Sequence, residues 1–228
     1  MKKVLVWFAF LTVVYLYFSL RVGTVPICSY GQDGCQVPSL ADLFDRVIQQ
    51  SSRMDDISND LHSEFEQYFF PSKKIIGKRR CHTYDIITPD DKENAQRLGP
   101  EQLTEVILRL LAAWSDPLSQ LQGSMSQDQN QDFNHHSYEA QEVTDVVQDL
   151  RDGVAKMAER MKLEGMLDNT MGYISESLVP SSAFSFYARG NLHSIEHYDL
   201  LHCFRRDSSK VRNYLRILKC TTLPETDC

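Results

Sequence analysis

Four segments of this chain carry apolar residues at helical spacing, and the lengths of chain between them restrict how four helices can be joined. The first segment has Leu40, Leu43, Phe44, Val47, Ile48, Met54, Ile57, Leu61, Phe65 and Tyr68. The second has Leu103, Val106, Ile107, Leu110, Leu111, Trp114, Leu118 and Leu121, the third Val143, Val146, Val147, Leu150, Val154, Met157 and Met161. The fourth has Ile195, Tyr198, Leu201, Phe204, Val211, Tyr214, Leu215 and Leu218. Recurrence near every 3.6 residues puts an apolar stripe along each helix, and each stripe must be buried against others. Ser39 is placed to cap the first helix, with Asp42 at its third position. Pro100 opens the second, and Pro117 is expected to kink it or end it early, because proline lacks the N–H that a helix interior needs. Strand-like alternation and internal repeats are absent, so the chain reads as all-α.

The connections then decide the topology. Residues 70–99 and 168–191 are long and contain Pro71, Gly77, Pro89, Gly99, Gly172, Pro180 and Gly190, whereas 122–138 is shorter and polar. A helix of about 20 residues is roughly 30 Å long, and about nine or ten extended residues return along it. Both outer connections exceed that. The pattern predicts an up-up-down-down, long-chain cytokine-type bundle with two long crossovers, and ranks an up-down-up-down bundle second.

The compartment follows from the first residues. Lys2 and Lys3 precede an apolar run from Val4 to Leu20, and small residues Gly23 and Thr24 lie before Val25. Residues 1–24 therefore read as a secretory signal peptide, with a signal anchor as the competing reading, and residues 25–228 as one domain. Without residues 1–24 the chain has 21 bases against 31 acids, a net charge of −10. An acidic exported protein is a poor partner for nucleic acid, and no second apolar run would hold it in a membrane.

Six cysteines follow the leader: Cys28, Cys35, Cys81, Cys203, Cys220 and Cys228. In an oxidising compartment an even count implies three disulfides, although six cysteines allow 15 pairings. Proximity favours Cys28 with Cys35 and Cys220 with Cys228, which leaves Cys81 to tie the first crossover to Cys203 in the fourth helix. Zinc–thiolate binding is disfavoured, since no Cys-x-x-Cys pair occurs.

One stretch runs against the overall charge. Between Leu201 and Cys220 lie Arg205, Arg206, Lys210, Arg212, Arg216 and Lys219 against the single acid Asp207. If one stripe of this helix is buried, its bases form a positive surface on the other side. The plainer reading is a solvated helix face, with Arg216 and Lys219 suiting the C-terminal dipole.

CHTYDIITPDDKENAQRL (81–98) with LLAAW (110–114), and CFRRDSSKVRNYLRILKC (203–220), resemble the two hallmark segments of the growth hormone/prolactin family. VPICSYGQDGCQV (25–37) resembles the amino terminus of the prolactin branch; growth hormones lack that cysteine pair, and somatolactins with a similar pair are the alternative. The resemblance spans nearly all of residues 25–228. It implies a secreted, monomeric hormone without catalysis or cofactor. Such a hormone brings two single-pass cytokine receptor chains together, one on each of two faces, and receptor-associated Janus kinases then signal.

The implied first receptor face has Tyr198, Arg206, Lys210, Tyr214 and Arg216 on the fourth helix and Lys92 in the crossover. About four of the six bases are expected to touch receptor, and Lys219 to serve only dipole and solvent. Arg and Tyr are the residue types expected at binding hot spots. The implied second face has Arg46 on the first helix and Gly165 on the third, where a missing side chain leaves a dent; a C-terminal cap is the other reason for glycine there. The resemblance also places Ser52, Asp55 and Ser209 where mammalian prolactins have a histidine cluster, and Arg53 and Asp55 would change the charge of that face.

Other signals carry less. His193 to His197 fits the H-x-x-E-H pattern, but a compact bundle offers no evident cleft for a hydrolase, so no metal is expected. His135 and His136 read as a solvated pair. Gly77-Lys78-Arg79-Arg80 resembles a prohormone cleavage site, which would make the protein a cleaved precursor; the tether at Cys81 argues against access. No Asn-x-Ser/Thr sequon, phosphate loop or Ser-His-Asp arrangement is present.

Overall fold

The first helix begins where its capping residues meet. In the computed structural model, which describes residues 38–69, 81–126, 133–168 and 191–223, α1 spans Leu40–Phe69. The N–H of Asp42 donates to Ser39 Oγ at 3.1 Å, and the N–H of Ser39 donates to Asp42 Oδ2 at 2.9 Å. This reciprocal capping satisfies two donors that the first turn would otherwise leave open. A 3-10 turn at His82–Asp85 and a short α2, Lys92–Arg97, follow in the first crossover. Neither was visible as an apolar stripe. Asp91 caps α2 by accepting from the N–H of Asn94 at 2.7 Å. The remaining helices are α3 (Pro100–Ser126), α4 (Phe133–Leu163) and α5 (Asn191–Thr222). There is no strand among the described residues.

Two expectations are corrected here. Only residues 127–132 separate α3 from α4, not the 122–138 stretch read from its polar composition. Met125 explains part of this: it is 1 % exposed, one turn beyond Leu121, and draws α3 onward into the core. Pro117 does not end its helix either. Proline leaves the carbonyl of Ala113 without its intrahelical donor, and His82 Nε2 stands 3.0 Å from that oxygen. The crossover thus supplies a polar partner where the helix lacks one.

Helix α1 packs on α4 and α5, and α3 packs on the same two helices. Side-chain pairs give their directions. Along α1, Asp45 meets Lys219, Asp55 meets Arg212 and His62 lies beside Tyr198, so α1 and α5 run antiparallel. Arg53 bonds Glu142, while Val47 lies beside Gly153, so α1 and α4 are antiparallel too. Gln122 contacts Gln141 and Glu101 accepts from the N–H of Asp168, which orients α4 against α3. Trp114 reaches Asp207 and Ser124 reaches His197, which orients α5 against α3.

The stripes converge on one core. Phe44, Phe65, Leu118, Leu150, Phe204 and Leu215 are each at most 1 % exposed. Burial of a Leu or Phe side chain contributes about 1.5–3 kcal/mol, so the core supplies most of what orders the helices. Gly153 sets how closely two of them approach. A Cβ there would stand 3.1 Å from Val47 Cγ1 and 3.3 Å from Gln50 Oε1. That crowding gives a reason for glycine in mid-helix despite a propensity cost of about 1 kcal/mol.

Candidate functional site

A strap formed by residues 81–99 lies along α5, held by a succession of pins. Cys81 and Cys203 form a disulfide across 122 residues of sequence. Beside it Asp207, 1 % exposed, accepts from Thr83 Oγ1 at 2.6 Å and from Trp114 Nε1 at 3.1 Å. Arg206 Nε donates to its other oxygen at 2.8 Å, and Arg206 Nη2 donates to Thr83 at 2.9 Å. One buried carboxylate therefore joins the strap, α3 and α5. The His82 ring stands edge-on to Trp114 at 4.4 Å, and burial holds its pKa below the usual histidine value. Further along, Lys210 Nζ donates to Thr88 Oγ1 at 2.7 Å and the Tyr214 hydroxyl donates to the Pro89 carbonyl at 2.8 Å.

Between the strap and the C-terminal half of α5 lies a groove of about 770 Å³, with Lys92, Gln96, Lys210, Asn213 and Arg216 among its walls. Five of the six residues expected on the first face are thus on or beside one surface: Lys92, Lys210, Tyr214 and Arg216 line the groove, and Arg206 lies one turn before Lys210. Tyr198 stands apart, since 18 residues of helix separate it from Arg216, roughly 27 Å. Tyr214 is 4 % exposed, its pKa is pushed up to about 12 by burial, and its hydroxyl is engaged by the strap. It is a fold-holding residue rather than an exposed hot spot. Lys219 departs from the expected solvent role, because its ammonium pairs with Asp45 at 2.7 Å.

Asp55 is likewise not a surface charge. It is 4 % exposed between α1 and α5, where Arg212 Nη1 meets Oδ2 at 2.7 Å. Burial raises its pKa, while Arg212 and the Ser208 hydroxyl act in the opposite direction. Arg212 therefore belongs to an internal ion pair and not wholly to the outward basic stripe.

Gly165 has φ +75° and follows the end of α4. Its N–H bonds the Lys162 carbonyl at 3.0 Å and the N–H of Met166 bonds the Met161 carbonyl at 2.9 Å. This pair of bonds is a Schellman motif, which favours glycine for its left-handed backbone. The C-terminal cap gives a backbone reason for glycine here, and nothing lies within 4 Å of the place a Cβ would take. Arg46 is exposed on α1. Gly153, missed in the sequence although it sits inside the apolar pattern of the third segment, is the glycine packed against Val47 and Gln50 of α1.

His62 was also missed. It is 2 % exposed, neither ring nitrogen has a hydrogen-bond partner, and Tyr198 lies 5.1 Å away between ring centres. Burial first, then Arg205 and His202, drive its pKa down to about 4, with Glu66 opposing. The unfolded chain takes up this proton near pH 6.5, before the folded one does. His62 stability is therefore complete above about pH 6.5 and is lost as pH falls toward 4, by on the order of 2–3 kcal/mol. The lowered pKa of His82 has the same sign, and the raised pKa of Asp55 the opposite sign. Denaturant titrations from pH 7 to 4 should show a flatter profile for His62→Leu than for the unsubstituted protein. An unchanged slope would remove His62 as its source.

Among the described residues no cluster of His, Cys, Asp and Glu could hold a metal ion, and no helix is long and apolar enough to cross a membrane. Helices packed around one core, with a strap sealed to the last of them and beside it a groove lined by Lys92, Lys210 and Arg216 and by Asp90 and Asp91, have the form of a helical cytokine bundle. The model of the somatotropin hormone family matches residues 11–228, and the chain belongs to that family. Its members are secreted signalling hormones that bind class I cytokine receptors, and they are not enzymes.

Proposed function

We propose that the protein is a secreted hormone of the prolactin branch that dimerises a prolactin-type class I cytokine receptor and so activates receptor-associated Janus kinases. The observation that carries the reading is the presence of two surfaces on different helix pairs. The first is the groove of Lys92, Lys210 and Arg216, with Arg206 at its edge; Tyr198 would extend this face toward the other end of α5. The second is the α1/α4 side, with Arg46 exposed on α1 and Gly165 past the end of α4, where nothing lies within 4 Å of the place a Cβ would take. Lys210 and Arg216 on the α5 side of the groove favour acidic groups on the partner, with Asp90 and Asp91 on the strap side, and complementarity of this kind raises the encounter rate.

The four antiparallel contacts support an up-up-down-down bundle, in which α1 and α3 share one direction and α4 and α5 the other. Cys220 is disulfide-bonded, which supports its pairing with Cys228 and three disulfides in all. Cys28, Cys35, Cys228, His135, His136, His193 and the basic run Lys78–Arg80 lie outside what is described of backbone or side chain. A signal peptide over residues 1–24 and a monomeric mature hormone complete the reading. A somatolactin-like hormone acting on another receptor of the family is the second reading.

The test is stoichiometry. Light scattering with receptor ectodomain should give one hormone to two receptors, and Gly165→Arg should give one to one with first-site affinity within about twofold. Gly165→Arg should strain the cap, and Gly165→Asn, which tolerates the left-handed region, should separate that strain from any receptor contact. A single ectodomain bound at saturation by the unsubstituted protein would overturn dimerisation.

A further inference from the structure

Most of the strap is committed to the inside of the molecule, and one aliphatic residue is not. Thr83 is buried on Asp207, Ile86 packs against the core, Thr88 accepts from Lys210, and the Pro89 carbonyl accepts from Tyr214. Between them Ile87 is 91 % exposed. Tyr84, three residues earlier, is 63 % exposed. An isolated surface aliphatic residue is ordinary. An aliphatic residue whose neighbours on both sides are tied to α5 is different, because its backbone is fixed before any partner arrives. Binding through it loses little conformational freedom, and preorganisation of this kind raises affinity without adding area.

The surroundings indicate what the partner presents. Pro89, two residues after Ile87, lines the groove together with Lys210 and Arg216. Arg206 lies on the α5 side, 41 % exposed in its side chain, whereas Asp85, Asp90 and Asp91 are exposed on the strap itself. The surface is basic toward α5 and acidic along the strap, with an apolar projection between. We propose that Ile87, supported by Tyr84, is the apolar anchor of the first receptor contact and enters a hydrophobic depression on a receptor ectodomain whose acidic residues face α5. This rests on the receptor-binding reading above and adds to it a residue that confers specificity. Lys92, Lys210 and Arg216 then act mainly on encounter and orientation, and Ile87 mainly on the lifetime of the complex.

The experiment measures association and dissociation of a prolactin-type receptor ectodomain on the full hormone, its Ile87→Ser and Ile87→Glu variants, and Lys210→Gln. Ile87→Ser should weaken affinity at least tenfold, nearly all in the dissociation rate, with thermal unfolding unchanged because the side chain touches little of its own fold. Ile87→Glu should be weaker still, since its charge would enter an apolar depression. Lys210→Gln should slow association, more so at low salt. If the unsubstituted hormone binds and both Ile87 variants bind within twofold of it, the anchor is refuted while the receptor reading stands. If the unsubstituted hormone binds no such ectodomain, the receptor reading fails and the anchor with it.

Discussion

Replacing Cys81 and Cys203 together by alanine should lower the free energy of unfolding by about 4–5 kcal/mol, the effect expected for closing a loop of this length in the unfolded chain. The disulfide spans 122 residues, from the first crossover to the last helix. Its entropic contribution depends only weakly on length, so what matters is that the link is long-range at all. Little of the loss should come from the folded state. Thr83, His82, Thr88 and Pro89 hold the strap through polar contacts of their own, so helical circular dichroism should be unchanged. The variant should refold more slowly, because the crossover must find α5 by diffusion. Guanidinium unfolding and stopped-flow refolding would measure both. A loss below about 1 kcal/mol would mean that the unfolded chain already keeps strap and helix together.

The apolar stripes were legible because burial imposes a period, and the period names the inward face of each helix. Leu40 to Phe65, Leu103 to Leu121, Val143 to Met161 and Leu201 to Leu218 all lie in the helices their spacing predicted. Helix ends were less legible. Residues 122–126 look like a polar loop, and only the depth of Met125 shows that α3 continues through them. Pro117 was read correctly as lacking a donor, but the group that answers Ala113 comes from His82, 31 residues earlier. No local rule could name it.

The candidate site was less legible than the fold for the same reason. Its residues lie on α5 and the strap as the resemblance implied, but the pattern of one helix does not reveal what each polar group meets on another. Tyr214 and Arg206 have the chemistry of binding residues, yet the first closes a bond to Pro89 and the second helps surround Asp207. Asp55 and Arg212, 157 positions apart, each looked like a surface charge and prove to neutralise each other. Gly153 and Gly165 have the same residue type and opposite causes: close approach of α1 in one, a positive φ in the other.

Asp207→Ala should cost about 3 kcal/mol, the lower part of the range for breaking a buried charged pair. The lower part applies because Arg206, with 41 % of its side chain exposed, can turn its charge to water once the carboxylate is gone. The Trp114 N–H and the Thr83 hydroxyl have no such exit, since Trp114 and Thr83 are each 2 % exposed. Each unsatisfied donor of this kind costs about 1–3 kcal/mol. Asp207→Asn should cost about half as much, because its carbonyl oxygen still accepts from both Thr83 and Trp114 while its amide group faces the guanidinium without a bond. The two variants therefore separate charge from hydrogen-bond number. The local consequence is as important as the total. Asp207 joins strap, α3 and α5 at one point, so its loss should speed hydrogen exchange at Thr83 and Tyr84 more than in the α1/α4 contact. With the disulfide also removed, the combined loss should exceed the sum of the two single losses by about 1 kcal/mol, since without the disulfide the strap depends on the Asp207 contacts. Simple additivity would show that the carboxylate orders the bundle core and has no share in holding the strap to α5.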